Sequence, residues 1–114
     1  MSKGIENVQE PGQEALNFSS FSEFYPFYLG EHQDQTCRRL HVIGTSLVLI
    51  AFTYIVLTAN WSLLILLPFL GYGFAWVGHF VFEQNKPATF KFPLYSFIGD
   101  FVMLKDVLTG KIKF

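Results

Sequence analysis

Cysteine is almost missing from this chain: Cys37 stands alone in 114 residues, so no internal disulfide can form and zinc sites built from Cys pairs are excluded. Beside Arg38 its thiol has a faint claim to reactivity, although a lone Cys is usually inert. Charge is scarce too. Only 15% of the residues are charged, and eight Lys and Arg against nine Asp and Glu leave a net charge of −1. Without a basic surplus there is no electrostatic footprint for a phosphate backbone, which excludes nucleic acid as a partner. No Gly-x-Ser-x-Gly elbow surrounds Ser46, Ser62 or Ser96. Nor is there a Gly-rich phosphate loop, since Gly71, Gly73 and Gly78 lie inside an apolar run where small residues let helices pack closely. At this length there is room for one domain and not for a substrate domain beside a cofactor domain.

What is present is apolar and aromatic: 51% hydrophobic residues and fourteen Phe. Residues 42–59 run without a formal charge, and in residues 63–82 only His79 is titratable. At ~1.5 Å per residue these runs reach roughly 27 and 30 Å, the thickness of a hydrocarbon core. Neither carries the polar stripe of a helix in a soluble bundle. Between them lie only Asn60, Trp61 and Ser62, a polar and aromatic break suited to a reversal at headgroup level. The pair predicts an all-α integral membrane hairpin of two transmembrane helices. Arg38 and Arg39 precede the first span, Lys86 and Lys91 follow the second, and the connection has no cation, so both termini are expected in the cytoplasm. The apolar run begins too far from Met1 for a signal peptide.

Interfacial helices are expected to flank the hairpin. Phe18, Phe21, Phe24, Tyr25, Tyr28 and Leu29 recur at helical spacing, with Pro26 interrupting or kinking the stretch, and their stripe suits either the headgroup zone or core packing. Residues 94–108 repeat the pattern but hold Asp100, Lys105 and Asp106, too charged and too short to cross. Residues 1–17 read as a flexible tail and residues 18–114 as the single domain.

All three histidines fall at the cytoplasmic end of this hairpin. His41 opens the first span and His79 nears the end of the second, so antiparallel helices set both at one depth. His32 precedes His41 by nine residues, about half a turn out of phase on one helix, so convergence requires a chain break near residues 33–36. Glu83 follows His79 by four residues on the same face, and Asn85 and Asp100 lie in the polar segments beyond. Three imidazoles and a carboxylate suit a first-row metal, zinc and oxygen-activating Fe(II) both included. Ionisable groups within a span are functional candidates by default, His79 and Glu83 first. Arg38 and Arg39, beyond orienting the chain, present bidentate forks suited to a substrate carboxylate.

Four blocks then resemble a known family: Phe24-Tyr25-Pro26-Phe27-Tyr28-Leu29-Gly30-Glu31-His32, Arg39-Leu40-His41-Val42-Ile43-Gly44, Gly71-Tyr72-Gly73-Phe74-Ala75-Trp76-Val77-Gly78-His79-Phe80, and Glu83-Gln84-Asn85-Lys86-Pro87-Ala88-Thr89-Phe90. Together they are similar to the Mpo1-like family over about residues 24–111. The resemblance implies an Fe(II)-dependent dioxygenase that shortens 2-hydroxy fatty acids by one carbon in fatty acid α-oxidation, acting in the endoplasmic reticulum or, as the short length suggests, in a bacterial inner membrane. It implies iron held by His32, His41 and His79 as the catalytic residues, with a carboxylate (Glu83 ahead of Asp100) or water completing the shell. The substrate's carboxylate and α-hydroxyl would chelate the iron beside O2 while its tail lies in the bilayer. Asp100, Asn85 and Tyr28 would orient the imidazoles. Two other readings remain at this stage: a protein binding haem or metal through His41 and His79, and a membrane scaffold without chemistry.

Overall fold

The computed structural model describes residues 17–114, so nearly all of the expected tail lies outside the described residues. Among these the fold is entirely helical. Helix α1, Phe21–Gly30, starts where the Ser20 hydroxyl accepts the Glu23 amide at 3.3 Å, and it runs through Pro26 without ending. Its aromatic stripe is core packing: Phe24 and Tyr28 are fully buried, and the Phe24 ring meets Phe92 and Tyr95 at 5.5 and 5.4 Å.

Helix α2, Gln35–Thr58, begins at an Asp34 cap whose carboxylate accepts the Cys37 amide at 2.9 Å. It therefore includes Arg38, Arg39 and His41 before the apolar run. It stops at Ala59, whose left-handed φ of 55° lets the next amide, of Asn60, return to the Ile55 carbonyl. A 3-10 turn, Trp61–Ile65, leads into α3, Leu66–Val77, which continues as a π-turn over Gly78–Glu83. A short 3-10 turn, Ala88–Phe90, then precedes α4, Pro93–Leu108, opened by proline where its missing donor costs nothing.

Two rods result, Gln35–Thr58 and Trp61–Glu83, each long and apolar enough to cross a membrane, with mean hydropathies of 2.2 and 1.7. Only 28% and 11% of their apolar windows are buried, whereas the core helix of a soluble domain would be mostly covered. Leu57, Ile65 and Phe69 point outward with 69–80% of their surface free. Helices α1 and α4 gather at one end of the hairpin, where Phe24, Tyr28, Val42, Ala88, Met103 and Leu104 form the core. That end also carries the histidines.

Candidate metal centre

Three different structural devices deliver the imidazoles. His32 leaves the C-terminal turn of α1 one turn after Tyr28, His41 stands in the second turn of α2, and His79 sits in the π-turn. The break required between His32 and His41 occurs at residues 31–34. Glu83 pins it: its two carboxylate oxygens accept the amides of Asp34 at 2.7 Å and Gln33 at 3.2 Å.

Gly78 permits the close approach of the second rod. A Cβ there would lie 3.1–3.3 Å from three atoms of Cys37, so a side chain would push the π-turn off α2 and part His79 from His41. Gly99 plays the same part for α4, since its Cβ would meet the Tyr28 ring at 2.9 Å.

The three ring centroids lie 4.3, 4.6 and 4.7 Å apart with interplanar angles of 73–89°, and the rings are 2–4% exposed. Every Nδ1 faces an oxygen acceptor. His32 Nδ1 lies 2.6 Å from the Tyr28 carbonyl and His41 Nδ1 2.9 Å from the Cys37 carbonyl. Carbonyls only accept, so both Nδ1 atoms carry the proton. His79 Nδ1 lies 2.7 Å from Asn85 Oδ1. Asn85 is oriented by its own amide, which donates to the Glu31 carbonyl and carboxylate at 3.2 and 3.3 Å, so this Nδ1 is a donor as well.

In a neutral ring a proton on Nδ1 leaves the lone pair on Nε2. His32 Nε2 is buried without any hydrogen-bond partner. Such an orphan costs on the order of 1–3 kcal/mol unless something fills its place. One ligand atom from each His lies within 4.8 Å of the others, a set able to hold a metal ion. Burial, then the neighbouring His41, pushes the His32 pKa well below the usual imidazole value, so its ring is neutral, as a ligand must be.

Tyr28 and Asp100 close one side. The Tyr28 ring stacks on His32 at 4.0 Å, and its hydroxyl donates to Asp100 Oδ1 at 2.5 Å. Burial raises the Asp100 carboxyl to about 7 against the opposing pull of that hydroxyl, and burial likewise holds the Tyr28 phenol well above its ordinary value. Asp100 and His41 border both a small space at the three rings, about 10 Å³, and a larger apolar groove of about 440 Å³ between α2 and α3.

Several expected roles differ. Glu83 is not in the cluster; both of its oxygens accept backbone amides, and it holds the loop rather than standing with the three imidazoles. Arg38 and Arg39 do not face a substrate space. Arg38 donates to the carbonyls of Lys113 at 2.8 Å and His32 at 3.0 Å, and Arg39 to that of Phe114 at 3.2 Å, clasping the C-terminal segment to α2. Asn85 contacts an imidazole by its side chain and Tyr28 by its carbonyl and ring, whereas Asp100 reaches His32 only through Tyr28. Sequence reasoning missed Glu31 and the Cys37 carbonyl. The first had no signal; the second follows from the four-residue spacing of Cys37 and His41 on one helix.

A family model described as 2-hydroxy-palmitic acid dioxygenase Mpo1-like matches residues 18–112. No curated protein and no solved structure matches the chain.

Proposed function

Because this chain belongs to the 2-hydroxy-palmitic acid dioxygenase Mpo1-like family, we propose that it is a membrane-embedded, Fe(II)-dependent dioxygenase that shortens 2-hydroxy fatty acids by one carbon. The observation that carries the reading is the convergence of three neutral, Nδ1-protonated imidazoles around the partnerless Nε2 of His32. Imidazole nitrogen suits Fe(II), and three protein ligands leave coordination positions for a bidentate head group and O2. Bound there, iron would supply the one-electron chemistry that lets O2 oxidise the 2-hydroxy acid to the acid one carbon shorter, with CO2 and water as the other products.

The chain does the rest. The Tyr28 carbonyl, Cys37 carbonyl and Asn85 side chain fix the three rings, which sets donor direction and raises ligand basicity. Burial of the rings keeps bulk water from the reacting centre. Asp100, near neutral in its affinity for a proton and held at Oδ1 by Tyr28, has its other oxygen to take the proton of a 2-hydroxyl.

A bilayer location is supported by the uncovered apolar faces of both rods and, among the described residues, by the gathering of basic residues at the histidine end, which favours cytoplasmic termini. In that frame the three imidazoles sit at the interface, where the carboxylate of a membrane-dissolved fatty acid resides. The space at the rings, about 10 Å³, suits one ion and is far too small for a porphyrin, which disfavours haem.

The test is anaerobic loading with Fe(II), followed by O2 uptake and product mass with 2-hydroxypalmitate. A product one carbon shorter is expected. His32→Ala, His41→Ala and His79→Ala should each lose iron and turnover; retention of iron by all three, or turnover by them, would overturn the site.

A further inference from the structure

The groove of about 440 Å³ between α2 and α3 starts at the metal centre and leads away from it into the membrane half of the hairpin. Its α2 wall is one helical stripe, His41, Thr45, Val48 and Phe52. Its α3 wall includes Leu67 and Gly71, and Phe97 and Phe101 of α4 line it as well. Two close approaches fix the register of the rods: a Cβ on Gly44 would meet Phe74 at 2.9 Å, and one on Gly71 would meet Val48 at 3.3 Å. One turn beyond the second of these, antiparallel geometry sets Leu67 across from Phe52. Glycine at 71 is what leaves the groove its depth there, since any side chain would project toward Val48.

The groove is most polar at its mouth, where His41 and Asp100 also border the space at the three imidazoles. Elsewhere it is lined almost wholly by apolar side chains. At ~1.5 Å per residue, the eleven-residue path from His41 to Phe52 covers roughly 16 Å, the length of an extended chain of about a dozen methylenes. The volume lies within the ~300–1,000 Å³ typical of small-molecule sites.

We infer that this groove is the acyl-chain channel of the enzyme, with the carboxylate and hydroxyl of the 2-hydroxy acid at the imidazoles and the tail along α2, and that Val48 and Phe52 set the chain length accepted. The inference rests on the dioxygenase reading for the identity of the head group. Continuity with the three imidazoles separates this groove from an ordinary lipid-facing furrow. A fatty acid in the adjoining leaflet already has its carboxylate at the interface and its tail toward the bilayer centre, so it enters sideways without turning over.

Two measurements test the channel in the iron-loaded protein in phospholipid vesicles. The first is photo-crosslinking with a 2-hydroxyhexadecanoic acid carrying a diazirine near its methyl end; label is expected on the segment around Phe52 and Leu67. The second is the kcat/KM profile over 2-hydroxy acids of eight to eighteen carbons. Val48→Trp should cut kcat/KM on the sixteen-carbon acid about tenfold or more relative to the eight-carbon acid, together with the distal label, iron content being measured beside both. Phe52→Ala, which removes bulk from an exposed position, should move the optimum to longer chains. Label scattered over outward-facing Ile50 and Phe69 and unchanged by Val48→Trp, or a chain-length profile that neither variant moves, overturns the channel. Distal labelling with no one-carbon loss from any acid would retain the channel and sink the dioxygenase reading instead.

Discussion

At the scale of single residues, the centre depends on groups that fix imidazole tautomers rather than on the imidazoles alone. Among the described residues Asn85 Oδ1 is the acceptor that faces His79 Nδ1, so Asn85→Ala frees that ring to rotate or to move its proton onto Nε2. Iron affinity should fall about 10–100-fold with helicity unchanged, as measured by metal titration and circular dichroism. Asp100 gives a pH signature. Its folded carboxyl titrates at about 7 and an unfolded one near 3.8. Between these values the folded chain holds a proton that the unfolded chain has released, so this group weakens the fold as pH rises through the window and its penalty is complete above about 7. Asp100→Asn removes that penalty while still accepting from Tyr28. The stability of the variant relative to wild type, both metal-free, should therefore grow from pH 4 to pH 8 by on the order of 4 kcal/mol, and a difference independent of pH would contradict the burial of a titrating carboxyl there.

At the scale of elements, the π-turn over Gly78–Glu83 is the device that matters most. After it Gln84 adopts a left-handed φ of 62°, and the Asn85 amide bonds back to the His79 carbonyl at 3.0 Å. The chain thus folds back on itself and brings the Asn85 side chain under the ring it serves. An unbroken α-helix would carry residue 85 onward instead, away from residue 79. Deleting Phe82 should restore α-helical register and abolish iron binding while leaving the hairpin helical. Gly78→Ala tests the seam on the other side. With a Cβ 3.1–3.3 Å from Cys37, the rods must separate by a few tenths of an ångström, costing about 1–3 kcal/mol and lowering iron occupancy, readable as a lower Tm and a weaker metal titration.

At the scale of the whole molecule, the metal would add one more tie among segments that Glu83, Asn85 and the Gly78 seam already join. The proposed ligands come from the end of α1, the second turn of α2 and the turn after α3, while α4 supports them through Gly99 and Tyr28. Iron at 100 times its dissociation constant should stabilise the fold by about 2.7 kcal/mol, so a chelator should lower the Tm of loaded wild type and leave that of His41→Ala unmoved. The hairpin also fixes a topology. A cysteine introduced by Ser62→Cys should react with an impermeant thiol reagent only from the side opposite one introduced by Lys105→Cys; labelling of both from one side would rule out the two-span arrangement.

Much of this architecture is settled by local chemistry. Uncharged runs of 18 and 20 residues force helices that satisfy their own backbone, and the Asn60-Trp61-Ser62 break between them forces a reversal, so the rods and the shared depth of His41 and His79 follow from composition and periodicity. The aromatic stripe of α1 was equally legible, though whether it met protein or headgroups was not, because period alone does not name the partner. What tertiary structure decided is which polar groups meet. Glu83 stands on the face of His79 by spacing, yet the π-turn and the loop at residues 31–34 bring backbone amides to it first; Arg38 and Arg39 find carbonyls of residues 113 and 114, some 75 positions away. Spacing along a helix states which side chains share a face, whereas the partner that satisfies a carboxylate or a guanidinium is whatever unsatisfied donor or acceptor the packed chain leaves within 3 Å or so, and that depends on contacts no local pattern encodes.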